Sequence, residues 1–139
     1  MATSTLTTSA ETEAGPVRVM VVDDHSHYRS LVGTVVAAAD GFELVGEAAS
    51  QAEVVDVLAA DANAPDLVLL DVHLGDDSGL DVSKVIRSLC PGTEIVLIST
   101  MAADELPPSA IECGARGFLP KSQVSPSALS RAWAGAYDW

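Results

Sequence analysis

The chain has 139 residues, 48% of them hydrophobic, and 20 acidic against 7 basic residues give a formal net charge of -13. That length suits one domain, and the apolar fraction can fill a sizeable core. The negative charge argues against direct binding of nucleic acid or of an anionic membrane surface. No apolar run reaches the roughly 20 residues of a membrane span and no signal peptide is recognisable, so we expect a cytoplasmic protein.

Residues 1–15 are rich in Thr, Ser and Ala without an apolar period, which predicts a disordered leader before a domain at 16–139. In the domain, apolar runs of strand length alternate with helical periods. In chain order the predicted elements are a strand at 17–22, a helix at 25–39, a strand at 42–45, a helix opening at 50, a strand at 67–70, a helix at 80–89, a strand at 95–98, a short helix at 108–113, a strand at 117–119 and a helix opening at 125. Five such βα units predict an α/β three-layer sandwich.

Helix ends are marked by residues with known capping chemistry. The segment Ser50-Gln51-Ala52-Glu53 is a capping box, and Ser125 followed by Pro126 is a second N-terminal signal. Pro107-Pro108 cannot lie inside a helix without the loss of backbone hydrogen bonds, so the fourth helix should be short and end at Gly114.

Acidic residues follow two of the predicted strands. Asp71 ends the apolar run at 67–70, and Asp23 and Asp24 end the first strand. Because ligands bind at the carboxyl ends of parallel strands, three carboxylates are expected at one edge of the sheet. Their mutual repulsion, about 4 kcal/mol for a pair at 4 Å and an effective dielectric near 20, requires a positive partner. A divalent cation with oxygen ligands is the simplest candidate, and Lys121 is the second.

The two cysteines carry no recognisable motif. Cys90 and Cys113 form no C-x-x-C pair and have no His or Cys cluster beside them, so we expect reduced, mostly buried thiols.

These motifs together resemble the receiver domain of bacterial two-component response regulators, over roughly residues 17–136. The start is similar to the branch that often carries a C-terminal helix-turn-helix. The segments that carry the resemblance are Val21-Val22-Asp23-Asp24-His25 with Arg29, Leu69-Leu70-Asp71, the run from Ile95 to Ser99, and Gly114-Ala115-Arg116-Gly117-Phe118-Leu119-Pro120-Lys121. The resemblance implies a flavodoxin-like fold, a five-stranded parallel sheet in the order 2-1-3-4-5 flanked by five helices.

The resemblance also assigns a role to each site residue. Asp71 matches the aspartate that accepts a phosphoryl group from a histidine kinase, and Lys121 matches the lysine that pairs with that group. Asp23, Asp24 and Asp71 match ligands of Mg²⁺, together with the backbone carbonyl of His73. Residues that match the conformational switch are Ser99 and Phe118. The implied output passes through protein contacts, to a downstream protein or a second copy, on the face of the fourth helix, fifth strand and fifth helix.

Some residues depart from the family pattern. Leu74-Gly75-Asp76 replaces the usual Met-Pro-Gly after the phosphoacceptor, Asp77 adds charge nearby, and Pro107-Pro108 alters the fourth helix. We expect a phosphorylation-switched receiver that is not a turnover enzyme and has no output domain in these residues. Three alternatives remain: the receiver portion of a DNA-binding transcription factor, an aspartyl phosphatase, and a pseudo-receiver without the chemistry. The phosphatase lacks the usual second acid two residues after the nucleophile, where this chain has His73.

Overall fold

The computed structural model of the chain describes residues 15–60, 64–100 and 105–135. The expected leader lies almost entirely outside these residues, so its disorder stays a prediction. The domain expected at 16–139 is described from its first residue to residue 135, with two gaps.

Five parallel strands form the main sheet, as expected. They are β1 (Val17–Val22), β2 (Phe42–Ala48), β3 (Leu67–Asp71), β4 (Glu94–Ser99) and β5 (Gly117–Pro120). Their spatial order is β2-β1-β3-β4-β5, which confirms the order implied by the resemblance. The chain reverses its direction of travel across the sheet between β1 and β3, so a crevice opens at the carboxyl ends of these two strands.

Helices cover both faces of the sheet. They are α1 (Ser26–Ala38), α2 (Gln51–Ala60), α3 (Gly79–Leu89), α4 (Ser109–Glu112) and α5 (Pro126–Trp133). In the described part of the chain, four of these helices have eight residues or more, and α4 is a single turn. Pro107 and Pro108 explain this. A longer α4 that began before them would place both prolines inside the helix, where neither has a backbone N–H to donate. Gly114 follows α4 with a φ of 96°, as expected of a helix-ending glycine.

Alternation along the strands divides the core into two layers. Met20 and Val22 of β1 belong to a buried cluster with residues of α2 and α3, whereas Val19 and Val21 belong to a second cluster with α1 and α5. All five residues of β3 are buried, which agrees with its continuous apolar sequence. The predicted three-layer sandwich is therefore confirmed.

The sequence expectation for the end of the second strand was wrong. Strand β2 continues to Ala48 rather than ending at residue 45, because Ala48 pairs with Val22 of β1 and pairing extends past the polar Gly46-Glu47 step. Leu31 of α1 and Leu89 of α3 are both about half exposed.

The cysteines are free thiols, as expected: Cys113 is buried and Cys90 is partly buried. Among residues 15–60, 64–100 and 105–135, no helix combines the length and apolar character that crossing a bilayer would need.

Candidate functional site

Adjacent aspartates after β1 have opposite environments. Asp23 is fully buried, whereas Asp24 is exposed at the mouth of a cavity of about 280 Å³. The Asp23 carboxylate fixes the turn that leads into α1, because its Oδ1 accepts a hydrogen bond from the His25 N–H at 2.9 Å. Arg29 donates from Nη1 to the Asp23 carbonyl at 2.7 Å and pairs with Glu47. The end of β1 is therefore held from both sides.

Lys121 and the predicted phosphoacceptor meet at this edge. Lys121 Nζ lies 2.9 Å from Asp71 Oδ2 and 2.9 Å from Asp23 Oδ2. The contact with Asp71 is a hydrogen bond, whereas Asp23 Oδ2 has a charge contact without hydrogen-bond alignment. Strands β1, β3 and β5 each end at this point, which is why residues so distant in sequence converge. The structure thus brings together the predicted acids and the predicted lysine.

Burial and charge act in opposite directions on these groups. Burial raises the pKa of the Asp71 carboxyl above its usual value, and hydrogen bonds from Lys121 and from the His73 N–H only partly oppose this rise. Burial alone would lower the pKa of Lys121, but its contacts with Asp23 and Asp71 outweigh burial and the net shift is upward. Lys121 is therefore a cation at neutral pH, whereas the negative charge of Asp71 is costly to bury.

The same cavity collects most of the other predicted site residues. Its lining residues are Asp24, His25, Asp71, His73, Gly75, Ser99, Thr100 and Lys121. Ser99 is 1% exposed at the end of β4, whereas its neighbour Thr100 is exposed. The serine is thus the hydroxyl residue built into the sheet.

The loop after Asp71 has a defined shape despite its departure from the family pattern. His73–Leu74 pairs with Asp77–Ser78 in a two-stranded ribbon, which turns at Gly75 with a φ of 60°. The His73 N–H donates to Asp71 Oδ1 at 3.2 Å. Asp77 Oδ2 accepts from the Gln51 N–H at 3.0 Å, so the acid that looked like extra charge in the site instead caps the start of α2.

A tyrosine completes the site, and sequence reasoning missed it. The ring of Tyr28 lies under Lys121 Nζ at 4.6 Å, and the Tyr28 hydroxyl donates to the Lys121 carbonyl. Burial, followed by the charges of Asp23 and Asp71, raises the pKa of Tyr28 to about 12. The available signal was its place in the first turn of α1, which begins at Ser26 just after the acidic pair that ends β1.

The acids at this edge offer oxygen ligands of the kind that a magnesium ion takes. Single ligand atoms of Asp23, Asp24 and His25 lie within 4.8 Å of one another. Among the described residues, the buried atom Asp23 Oδ2 has no aligned hydrogen-bond donor beyond its charge contact with Lys121, and Asp24 and Asp71 line the cavity. Carboxylate oxygens suit Mg²⁺, whereas the His25 imidazole is not a ligand that this ion prefers. The residues therefore fit the group.

Phe118, the predicted aromatic switch, is separate from the cavity. It is 6% exposed and belongs to the same buried cluster as Ala110 and Cys113 near α4. Its side chain is therefore buried in this conformation. Its role as a switch stays a prediction.

The fold and the acid–lysine cluster define a doubly wound α/β protein with a charged site at its topological switch point. Residues 19–133 match the family described as the response regulator receiver domain, and the chain belongs to that family.

Individual relatives agree with this assignment. The chain is 32% identical over 105 residues to response regulator GacA of Pseudomonas protegens, which covers 76% of this chain and 48% of that protein. It is 31% identical over 104 residues to chemotaxis protein CheY of Thermotoga maritima, covering 75% and 84%. A LuxR-family response regulator from Aurantimonas superimposes with a TM-score of 0.74 at 25% identity, covering 88% and 85%. The chain spans about half the length of several curated relatives that it matches.

Proposed function

We propose that the protein is a phosphorylation-dependent receiver of two-component signal transduction, which accepts a phosphoryl group on Asp71 from a histidine kinase with Mg²⁺. The observation that carries the proposal is the position of Lys121 Nζ, 2.9 Å from both Asp71 Oδ2 and Asp23 Oδ2. A lone buried ion pair would need one acid. Two acids on one ammonium, with Asp24 beside them, leave negative charge that suits a metal ion and a phosphoryl group.

The chemistry is a group transfer between nucleophiles. An Asp71 oxygen attacks phosphorus, the bond from phosphorus to the kinase histidine breaks, and an acyl phosphate forms. Bound Mg²⁺ would be held by Asp23, Asp24, Asp71 and the His73 carbonyl, and would neutralise charge on the phosphoryl oxygens. Lys121 is already charged at the rim and would pair with a further phosphoryl oxygen.

Output would follow from the new charge at Asp71. The acyl phosphate adds about one to two negative charges and strong hydrogen-bond acceptors beside Ser99, whose hydroxyl would donate to it. Because Ser99 pairs with Pro120 across β4 and β5, movement there would reach Phe118, two residues before Pro120. The proposed output surface is the face of α4, β5 and α5, which would bind a downstream protein or a second copy.

Direct phosphorylation tests the proposal. The protein is incubated with Mg²⁺ and acetyl phosphate, and intact mass is followed; beryllofluoride with Mg²⁺ gives a parallel structural readout by NMR. Wild type should gain one phosphoryl group, Asp71→Asn should gain none, and Asp66→Asn should behave as wild type. Asp66 is the matched control, because it directly precedes Leu67, the first residue of β3, whereas Asp71 is the last residue of that strand and lines the cavity. If wild type gains no phosphoryl group and its NMR spectrum does not change with beryllofluoride, the proposal is wrong and the protein is a pseudo-receiver.

Turnover distinguishes the proposed receiver from an enzyme. A receiver takes one phosphoryl group per molecule and loses it slowly, whereas an aspartyl phosphatase would hydrolyse a phosphate ester over many turnovers. We propose that the protein does not do so. Steady multiple-turnover release of phosphate from an ester, abolished by Asp71→Asn, would overturn this part.

A second form of the proposal places the receiver in a transcription factor. The relatives include the DNA-binding transcriptional activator DevR/DosR of Mycobacterium tuberculosis, which is 32% identical over 116 residues. The match covers 84% of this chain and 52% of that relative. The reading frame downstream of residue 139 tests this form: a helix-turn-helix in the same frame would favour it, and a stop codon would favour the separate receiver.

A further inference from the structure

The ammonium of Lys121 is bounded on three sides. Two sides are the carboxylates of Asp23 and Asp71, each 2.9 Å away. The third is the face of the Tyr28 ring, whose centroid lies 4.6 Å from Nζ, a distance at which cation–π attraction is significant. The Tyr28 hydroxyl donates to the carbonyl of Lys121 as well. Tyr28 therefore contacts both the main chain and the charged end of the same lysine.

Both contacts are made to the first residue after strand β5, where the chain leaves the hydrogen-bonded sheet. Strand β5 ends at Pro120, and Lys121 opens a 3-10 turn over Lys121–Gln123. A lysine side chain has four flexible torsions, so its charge is not confined by backbone geometry alone. Tyr28, in contrast, lies on α1, which packs against the sheet through the fully buried Val32 and Val36. A rigid helix thus provides a support for a flexible cation.

We propose that Tyr28 is a positioning residue, which holds the Lys121 ammonium at the phosphoacceptor and so speeds phosphoryl transfer to Asp71. This inference rests on the proposed function. Tyr28 does not line the acidic cavity itself; it lies in an adjoining groove with Leu31, Val35 and Val124, and Lys121 lines both. Tyr28 therefore acts through the lysine rather than on the reacting atoms.

Lysine NMR tests the contact without any reaction. The chain has two lysines, Lys121 and Lys84, so protein labelled with ¹³C-lysine gives two ε-methylene signals. Protons over the face of an aromatic ring resonate upfield. In wild type the Lys121 signal should lie upfield of the signal of Lys84, which is exposed on α3 and serves as the internal control. Tyr28→Phe should retain the shift and Tyr28→Met should abolish it. Coincident signals in wild type would overturn the inference whether or not any variant folds.

Phosphorylation rates test the consequence. With acetyl phosphate and Mg²⁺, Tyr28→Met should react about tenfold more slowly than wild type, and Tyr28→Phe should keep most of the rate, since the ring supplies the cation–π contact. Leu31→Ala is the matched control, because Leu31 lines the same groove one helical turn after Tyr28, is half exposed and has no aromatic ring to face the ammonium. This variant should react as wild type. An unchanged rate for Tyr28→Met overturns the inference. If wild type shows the shifted Lys121 signal but takes up no phosphoryl group, the proposed function fails and the contact is structural only.

Discussion

One cavity lies at the amino ends of the parallel strands, the amino edge of the sheet, and another at their carboxyl ends, the carboxyl edge. The larger of these two cavities is not the candidate site. At the amino edge a cavity of about 400 Å³ lies between residues 64–66 and 89–93, whereas the cavity at the carboxyl edge has about 280 Å³. Polar groups at the amino edge are matched with partners: Thr93 Oγ1 donates to the Pro65 carbonyl at 2.7 Å, and Asp66 Oδ2 accepts from the Arg18 N–H at 2.9 Å. These contacts fix loops, and the charged carboxylate at this edge, that of Asp66, is exposed to solvent rather than buried.

The carboxyl edge is built in the opposite way. Asp23 and Asp71 both contact the ammonium of Lys121 and are almost wholly buried, and Asp24 lines the same cavity as Lys121. Burying an excess of like charge costs folding free energy, so such an arrangement points to a ligand rather than to stability. The imbalance of buried charge, not the volume of the cavity, separates the candidate functional edge from the other one.

The largest expected effect concerns backbone packing at the carboxyl edge. A Cβ on Gly79 would lie 2.0 Å from the Asp71 carbonyl oxygen and 2.8 Å from Val72 Cα, so Gly79→Ala should lower the free energy of unfolding by about 2–3 kcal/mol. At the amino edge, a Cβ on Gly92 would meet nothing within 4 Å. Gly92→Ala should therefore change the free energy of unfolding by no more than about 0.5 kcal/mol. Urea unfolding measures both. Equal effects would show that the backbone at the two edges is equally tolerant.

A smaller effect is expected on metal affinity. Asp24→Asn removes a charged oxygen ligand from the mouth of the acidic cavity, and Mg²⁺ should bind at least about tenfold more weakly by calorimetry. Asp66→Asn removes an equal charge at the amino edge and should leave the affinity within about twofold, because exposed charges at that range are screened. Equal losses in the two variants would mean that the metal responds to net charge and not to a built site.

The cluster of acids at the carboxyl edge could be predicted from the sequence. The apolar runs ending in Asp23-Asp24 and in Asp71 fix the carboxyl edge, because parallel strands all deliver their ends to one side. The resemblance supplied the strand order and the role of Lys121, which a lone lysine in a loop does not reveal. What could not be predicted depends on three-dimensional detail: the burial of Asp23 beside the exposed Asp24, and the contact of Tyr28 with Lys121.

Asp77 shows why local composition misleads. As a residue in an acidic, glycine-containing loop, it suggested more negative charge at the site. The ribbon turns its side chain toward the start of α2, where the Gln51 N–H needs an acceptor. That partner lies 26 residues away in sequence and becomes a neighbour only in the folded chain.

The smallest expected effect is on stability. Asp71→Asn should raise the free energy of unfolding of the protein in EDTA by about 1 kcal/mol at pH 7, because it removes a buried charge and leaves Lys121 paired with Asp23 alone. Asp66→Asn should give no gain, since Asp66 is exposed and accepts one hydrogen bond. Thermal and urea unfolding measure both variants.

The pH dependence of that gain identifies its cause. The pKa of Asp71 is raised in the folded protein, chiefly by burial, so its contribution to stability is full below the ordinary value of 3.8 and is lost as pH rises through the folded pKa. The advantage of Asp71→Asn over wild type should therefore be smallest near pH 3, grow as pH rises, and become constant once Asp71 is ionised. A variant less stable than wild type at pH 7 in EDTA would show that pairing with Lys121 outweighs burial, and that the carboxyl edge is as well balanced as the amino edge.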